Sequence, residues 1–206
     1  MNVALLWLTK LYLRSVGGKF TRIQTIKLLN EKQQEIIVFS GDNPPLLGQR
    51  TLFGTTIVHE SAFSTERLLN YVVIHETGHK KQWYGYFIYP LAVVCVLASL
   101  SFLFAAIWAL LDSIISLDPA YLLGTLWGLF LAVLSLVILA IYSWLLELNA
   151  EFYAIGKLGL QVFLDAKADA PKPHKRTFYL WAIILMTHPP SCVTIRIYHW
   201  IHRKPQ

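Results

Sequence analysis

His75-Glu76-Thr77-Gly78-His79 is the stretch whose residue types and spacing most directly imply chemistry. On a helix, residues four apart share a face. His75 and His79 can therefore offer two imidazoles to one metal ion. Glu76 projects beside them, where it can take a proton from a metal-bound water. This H-E-x-x-H spacing is that of zinc hydrolases, with two His ligands and a Glu general base. The pattern fixes only three positions, so the competing reading is a chance match on a buried helix.

Two further groups bear on that choice. Glu147-Leu148-Asn149-Ala150-Glu151 sets two carboxylates one helical turn apart, directly after a long apolar run. A carboxylate there is expensive unless paired or liganded. The plainer alternative is a pair of solvated acids at an interface. A catalytic zinc needs three protein ligands and one open position for water. His75, His79 and Glu147 supply three, and Glu151 is then placed to accept a hydrogen bond from a liganding imidazole. The third group is Thr187-His188-Pro189-Pro190. Its prolines stop one helix and can start the next, and a His held at such a break can point into a cleft.

These residues need elements to hold them. The apolar run Leu68–Ile74, with Ser64 as N-cap and Glu66 in the first turn, predicts a helix from about Thr65 to Trp83. Glu35–Phe39 is rich in β-branched and aromatic residues and ends in Ser40-Gly41-Asp42-Asn43-Pro44-Pro45, which reads as strand then turn. Thr51–His59 reads as a second strand, or as two short ones broken at Gly54. Together these suggest a small antiparallel sheet ahead of the metal helix, preceded by a short amphipathic helix over residues 22–34. Such an edge strand either holds substrate by strand addition or is purely structural. His59 reads as a surface or strand-end residue.

The chain has 206 residues, 15% of them charged, and a mean hydropathy of +0.49. That is too apolar for an ordinary soluble domain. Phe87–Leu111 and Tyr121–Leu146 are each about 25 residues long without a charged side chain, enough to cross a hydrocarbon core of about 30 Å. Trp83, Tyr84, Tyr86, Tyr89, Tyr121 and Trp144 sit near their ends as interface anchors. The connection 112–119 has no Lys or Arg, whereas the flanks carry Lys80, Lys81, Lys157, Lys167, Lys172, Lys175 and Arg176. By the positive-inside rule both the N-terminal and the C-terminal parts are cytoplasmic. The net charge of +6 serves this orientation and contact with anionic lipid, and no basic, aromatic-interleaved motif argues for nucleic acid. Cys95 falls in the first span and Cys192 in the cytoplasmic part, so no disulfide is expected.

The expected architecture is a mainly α membrane protein, a two-helix transmembrane hairpin joined to a small cytoplasmic α+β, zincin-like domain. Residues 1–16 form an interfacial helix, residues 17–84 the sheet and metal helix, residues 85–146 the hairpin, and residues 147–206 the third-ligand helix and C-terminal helices. Ala166–Lys175 reads as a loop, and Thr177–Thr187 as an apolar segment too short to span. Ser191–Arg203 reads as a basic amphipathic helix with Val193, Ile197, Trp200 and Ile201 on one face and with His199 and His202 solvated.

Taken in order, HETGH, a transmembrane hairpin, ELNAE and THPP resemble the HtpX-like membrane metalloproteases and the CAAX prenyl-protein endopeptidases, metallopeptidase family forty-eight. The resemblance covers roughly residues 35–200. It implies that His75, His79 and Glu147 bind Zn2+, that Glu76 is the base, and that His188 binds or polarises the scissile carbonyl. Glu151 stands where the family usually has Asp. The family's Arg follows its His by six positions, where this chain has Thr194; Arg196 is the nearest candidate for substrate or oxyanion contact. The two N-terminal spans of HtpX-like proteins have no counterpart here. The implied function is a membrane-embedded zinc endopeptidase, acting at the cytoplasmic side on membrane or juxtamembrane protein substrates. The alternatives are a non-catalytic, zinc-binding membrane scaffold or regulator, and a sensor-type protease that cleaves one cytoplasmic repressor. The sequence leaves the oligomeric state open.

Overall fold

The computed structural model describes residues 3–15, 18–27, 33–41, 47–51, 54–171 and 187–202. The order is α1 (Val3–Ser15), β1 (Lys19–Ile26), β2 (Gln34–Ser40), β3 (Gly48–Arg50), β4 (Thr56–His59), α2 (Glu66–Lys81), α3 (Ile88–Ser116), α4 (Pro119–Leu158), α5 (Leu160–Asp169) and α6 (Ser191–His202). The protein is mostly helical, with a small mixed sheet and two long apolar helices.

The sheet has the order β1-β2-β4-β3 and is not purely antiparallel. β2 and β4 pair in parallel, while β1–β2 and β3–β4 are antiparallel. The chain leaving β2 first forms the far edge, β3. It then turns back through Thr51–Thr55, so β4 enters between the two running with β2. Burial on both faces explains the unbroken apolar run Ile36–Phe39. Ile36, Val38 and Val58 face α2, whereas Ile37, Phe39 and Ile57 face Leu13 of α1.

Other expectations need correction. Residues 19–26 form strand β1 and not part of a helix, because pairing with β2 outweighs a weak helical pattern. Residues 28–32 lie outside the described part. The N-cap of α2 is Thr65, not Ser64: Ser64 closes a 3-10 turn, and the Thr65 hydroxyl accepts from the Leu68 N–H at 3.2 Å. The loop expected from Ala166 begins later, since α5 runs to Asp169, where the Arg67 guanidinium grips the carboxylate at 2.8 and 3.1 Å. The apolar segment 177–186 is likewise outside the described residues. On α6 the side turned inward holds Thr194 and Tyr198, while Trp200 and Ile201 are exposed.

α3 and α4 pack antiparallel and are each long and apolar enough to cross a membrane. Only 11% and 17% of their most apolar windows are buried, which separates them from the core helices of a soluble domain. Leu117, at φ 54°, and Asp118, whose carboxylate caps Ala120 N–H at 2.9 Å, make the tight turn between them. α4 then continues without interruption beyond its apolar part to Leu158.

The sheet domain and the hairpin meet where α2 crosses α4. A Cβ on Gly78 would lie 3.0 Å from the Ala150 Cα, tighter than ordinary packing, so glycine favours this close approach of the two backbones. We expect Gly78→Val to destabilise the protein by about 1–3 kcal/mol through overpacking and to weaken metal binding by displacing α4. Thermal melting in detergent and metal titration check this; an unchanged melting temperature with unchanged affinity would refute it.

Candidate metal centre

α2 presents His75 and His79 from consecutive turns, and α4 brings Glu147 against them. The His75 Nε2 lies 3.3 Å from Glu147 Oε2, and the His79 Nε2 lies 3.3 Å from Glu147 Oε1. The two Nε2 atoms are 3.2 Å apart. Two ring nitrogens and a carboxylate thus converge on one point, and these three residues could hold a metal ion. Two ring nitrogens this close gain from a cation between them, either a proton or a metal ion. The sequence expectation that Glu147 completes the group is met in this geometry.

The site sits in a cleft of about 450 Å³ that is walled by β3, the end of α2, the foot of α3 and the turn of α4 that carries Leu146 and Glu147. Glu76 also lines it. Burial raises the Glu76 carboxyl above the ordinary range, against the pull of His75 and His79 and a hydrogen bond from the Arg50 backbone. β3 can lie this close because residue 48 is glycine: a Cβ there would come within 2.4 Å of Val72 Cγ1.

His188 also lines the cleft, with its Nε2 3.6 Å from Glu147 Oε1 and its Nδ1 2.8 Å from the Thr187 hydroxyl. Burial lowers its pKa, with Glu147 opposing, so the ring is neutral at neutral pH. Glu151 takes a different part from the expected one. Its Oε1 accepts from Lys167 at 2.7 Å and from Tyr71 at 3.0 Å, and it makes no hydrogen bond to either ligand ring. Glu151 Oε2 and His75 Nδ1 are both buried without a hydrogen-bond partner among the described residues. The extra methylene of Glu relative to Asp carries the carboxylate to Lys167. Arg196 is exposed and does not line the cleft. It lies two positions after buried Thr194, which on a helix turns it to the opposite side. His59 is at a strand end as expected but buried, with Nδ1 against Ser61 and Nε2 3.2 Å from the Gly41 carbonyl. His199 and His202 are exposed.

Gln82 was not legible in the sequence as part of the site. It is buried at the C-terminal end of α2, with its Oε1 3.2 Å from His79 Nδ1. Its Nε2 donates to the Leu146 carbonyl at 2.9 Å. That second bond fixes which way the amide points. The Oε1 must then accept from His79 Nδ1–H, which leaves the Nε2 lone pair free for a metal. One side chain thereby ties His79 to the residue preceding Glu147. The only sequence signal was a polar residue where the helix had to end.

No protein-family model matches the chain, and no curated protein or solved structure matches it either.

Two outcomes follow for metal binding. Gln82→Leu should weaken it about 10–100-fold, the usual loss for a ligand-orienting partner, in isothermal titration; an unchanged affinity would remove Gln82 from the site. Burial works against the charged His79 ring, but Glu147 outweighs it and raises the pKa to about 9. A metal must displace that proton. Apparent affinity should therefore climb with pH until about 9 and level off above; a flat profile from neutral to alkaline pH contradicts this.

Proposed function

We propose that the chain is a membrane-embedded zinc endopeptidase of the HtpX-like and CAAX-protease type. The observation that carries the reading is the position of Glu147. Separated from His79 by the whole hairpin, its carboxylate stands 3.3 Å from both imidazoles. Ligands held tetrahedrally at about 2.0–2.1 Å stand about 3.3 Å apart, which matches these spacings and suits zinc with two His and one carboxylate. The order of the HETGH, ELNAE and THPP motifs supports the same reading.

When bound, zinc supplies Lewis acidity that lowers the pKa of a coordinated water and polarises a carbonyl. The chain supplies the rest. Glu76, its basicity raised by burial, takes the proton of the attacking water and passes it to the leaving amine. His188, its Nδ1 2.8 Å from the Thr187 hydroxyl, donates to the developing oxyanion from Nε2 in the tautomer that carries its proton there. Among the described residues β3 is an edge strand whose one partner is β4, so its other side can take an extended peptide beside the metal.

α3 and the apolar part of α4 cross the bilayer, their exposed Leu97, Phe104, Leu126, Phe130 and Val133 facing lipid. The positive-inside rule, applied to the flanking lysines and arginines, supports a cytoplasmic side for the sheet domain and for α5 and α6. Tyr86, Ile88, Tyr89 and Leu146 line the cleft at the foot of the hairpin. Membrane and juxtamembrane segments are the substrates that such a position reaches first.

A zinc-binding scaffold without activity is the second reading. It is favoured by His188, whose Nε2 at 3.6 Å from Glu147 is near enough to become a fourth ligand and close the site. Purified wild type and Glu76→Gln separate the two. The protease reading expects about one zinc per chain in both, and a loss of about 10²–10⁴ in casein or self-cleavage in the variant. Zinc without cleavage in the wild type would establish the scaffold.

A further inference from the structure

α1 has two unlike faces. Thr9 and Leu13 are buried against the sheet. On the other side Val3, Trp7 and Leu11, spaced four apart, form one stripe that is 82%, 61% and 45% exposed. By helical phase, Lys10 and Arg14 lie along the same side.

The helix stands beside the foot of the hairpin. Tyr12 is hydrogen-bonded to Gln49, which lines the same cleft as Tyr86, Ile88 and Tyr89 at the foot of α3. Trp83, Tyr86 and Phe87 are exposed at this level. Trp and Tyr gather in this way where a protein passes through the headgroup region.

We infer that α1 lies in the membrane surface, with Val3, Trp7 and Leu11 in the headgroup–acyl boundary beside the hairpin and Arg14 toward anionic phosphates. This rests on the reading that α3 and α4 cross a bilayer. Lipid is the occupant because of three features. The stripe is centred on Trp7, a residue type that gathers in the headgroup region. Arg14 is exposed on the same side and α1 carries no acid, which suits phosphate. A 13-residue helix carrying one row of three apolar side chains also offers far less than the roughly 800 Å² per partner that a stable protein interface buries.

The contact has a consequence for the cleft. From the inner side of α1, the Tyr12 hydroxyl donates to Gln49 Oε1 at 2.6 Å, and Thr9 meets the Thr55 hydroxyl at 3.1 Å. Gln49 belongs to β3 and lines the cleft. A bilayer that holds α1 therefore restrains the edge strand beside the metal centre.

Spin labels test this in the full chain carrying Cys95→Ala and Cys192→Ser, reconstituted into phosphatidylcholine–phosphatidylserine vesicles. Labels go on Trp7→Cys, on Leu11→Cys in case the first loosens α1, on Leu126→Cys in the hairpin, and on Thr25→Cys on the exposed side of β1. Collision rates with oxygen and with a water-soluble nickel chelate are compared. The expected result is an oxygen-to-nickel ratio several-fold higher at positions 7 and 11 than at 25, and higher still at 126. Ratios at 7 and 11 equal to that at 25, with 126 in lipid, overturn the α1 assignment alone. An aqueous label at 126 overturns the crossing of the bilayer and this inference with it. Protection of 7 and 11 from both reagents means that a protein or a second copy covers the stripe, which also overturns it.

Discussion

A single carboxylate meeting two imidazoles is the contact on which the rest of the structure depends. Glu147 sits at the end of the apolar part of a helix of 40 residues, with one oxygen toward each of His75 and His79. An acid in that place is costly unless something balances it. The histidines do so from a neighbouring helix that belongs to the sheet domain. The same contact therefore neutralises the acid and joins the two halves of the molecule. A cation held among the three groups adds its binding free energy to that junction.

Several features serve this meeting and little else. Gly78 lets α2 and α4 come together at Ala150, so the metal-facing sides of the two helices are brought within side-chain reach. Gln82 bridges the His79 ring and the Leu146 carbonyl. Lys167 and Tyr71 hold Glu151 one turn beyond Glu147, in a buried pocket with Phe163. The sheet is sandwiched between α1 and α2 and supplies β3 as a wall beside Glu76. The result is a cleft with a polar floor of titratable groups and an apolar rim at the foot of the hairpin.

What the sequence disclosed depended on how local the physics was. The i, i+4 histidines, the apolar spans and the acid placed against an apolar run are local signals, and the structure brings all three together. The parallel pairing of β2 and β4 is not local, because it follows from the detour through β3. β1 looked helical because its own residues are mostly exposed and only the ladder with β2 makes it a strand. The role of Gln82 depends on a carbonyl 64 residues away. Glu151 kept the charge expected of it but not the partner, since a longer side chain reaches Lys167. Arg196 failed by helical phase alone, two residues being more than half a turn from Thr194.

X-ray absorption at the zinc edge, on zinc-loaded wild type and Glu147→Ala, tests the central claim most directly. The account predicts two imidazoles and a carboxylate oxygen at about 2.0–2.1 Å in the wild type, and loss of the protein oxygen with much weaker binding in the variant. Identical spectra and equal affinity for the two proteins would contradict it.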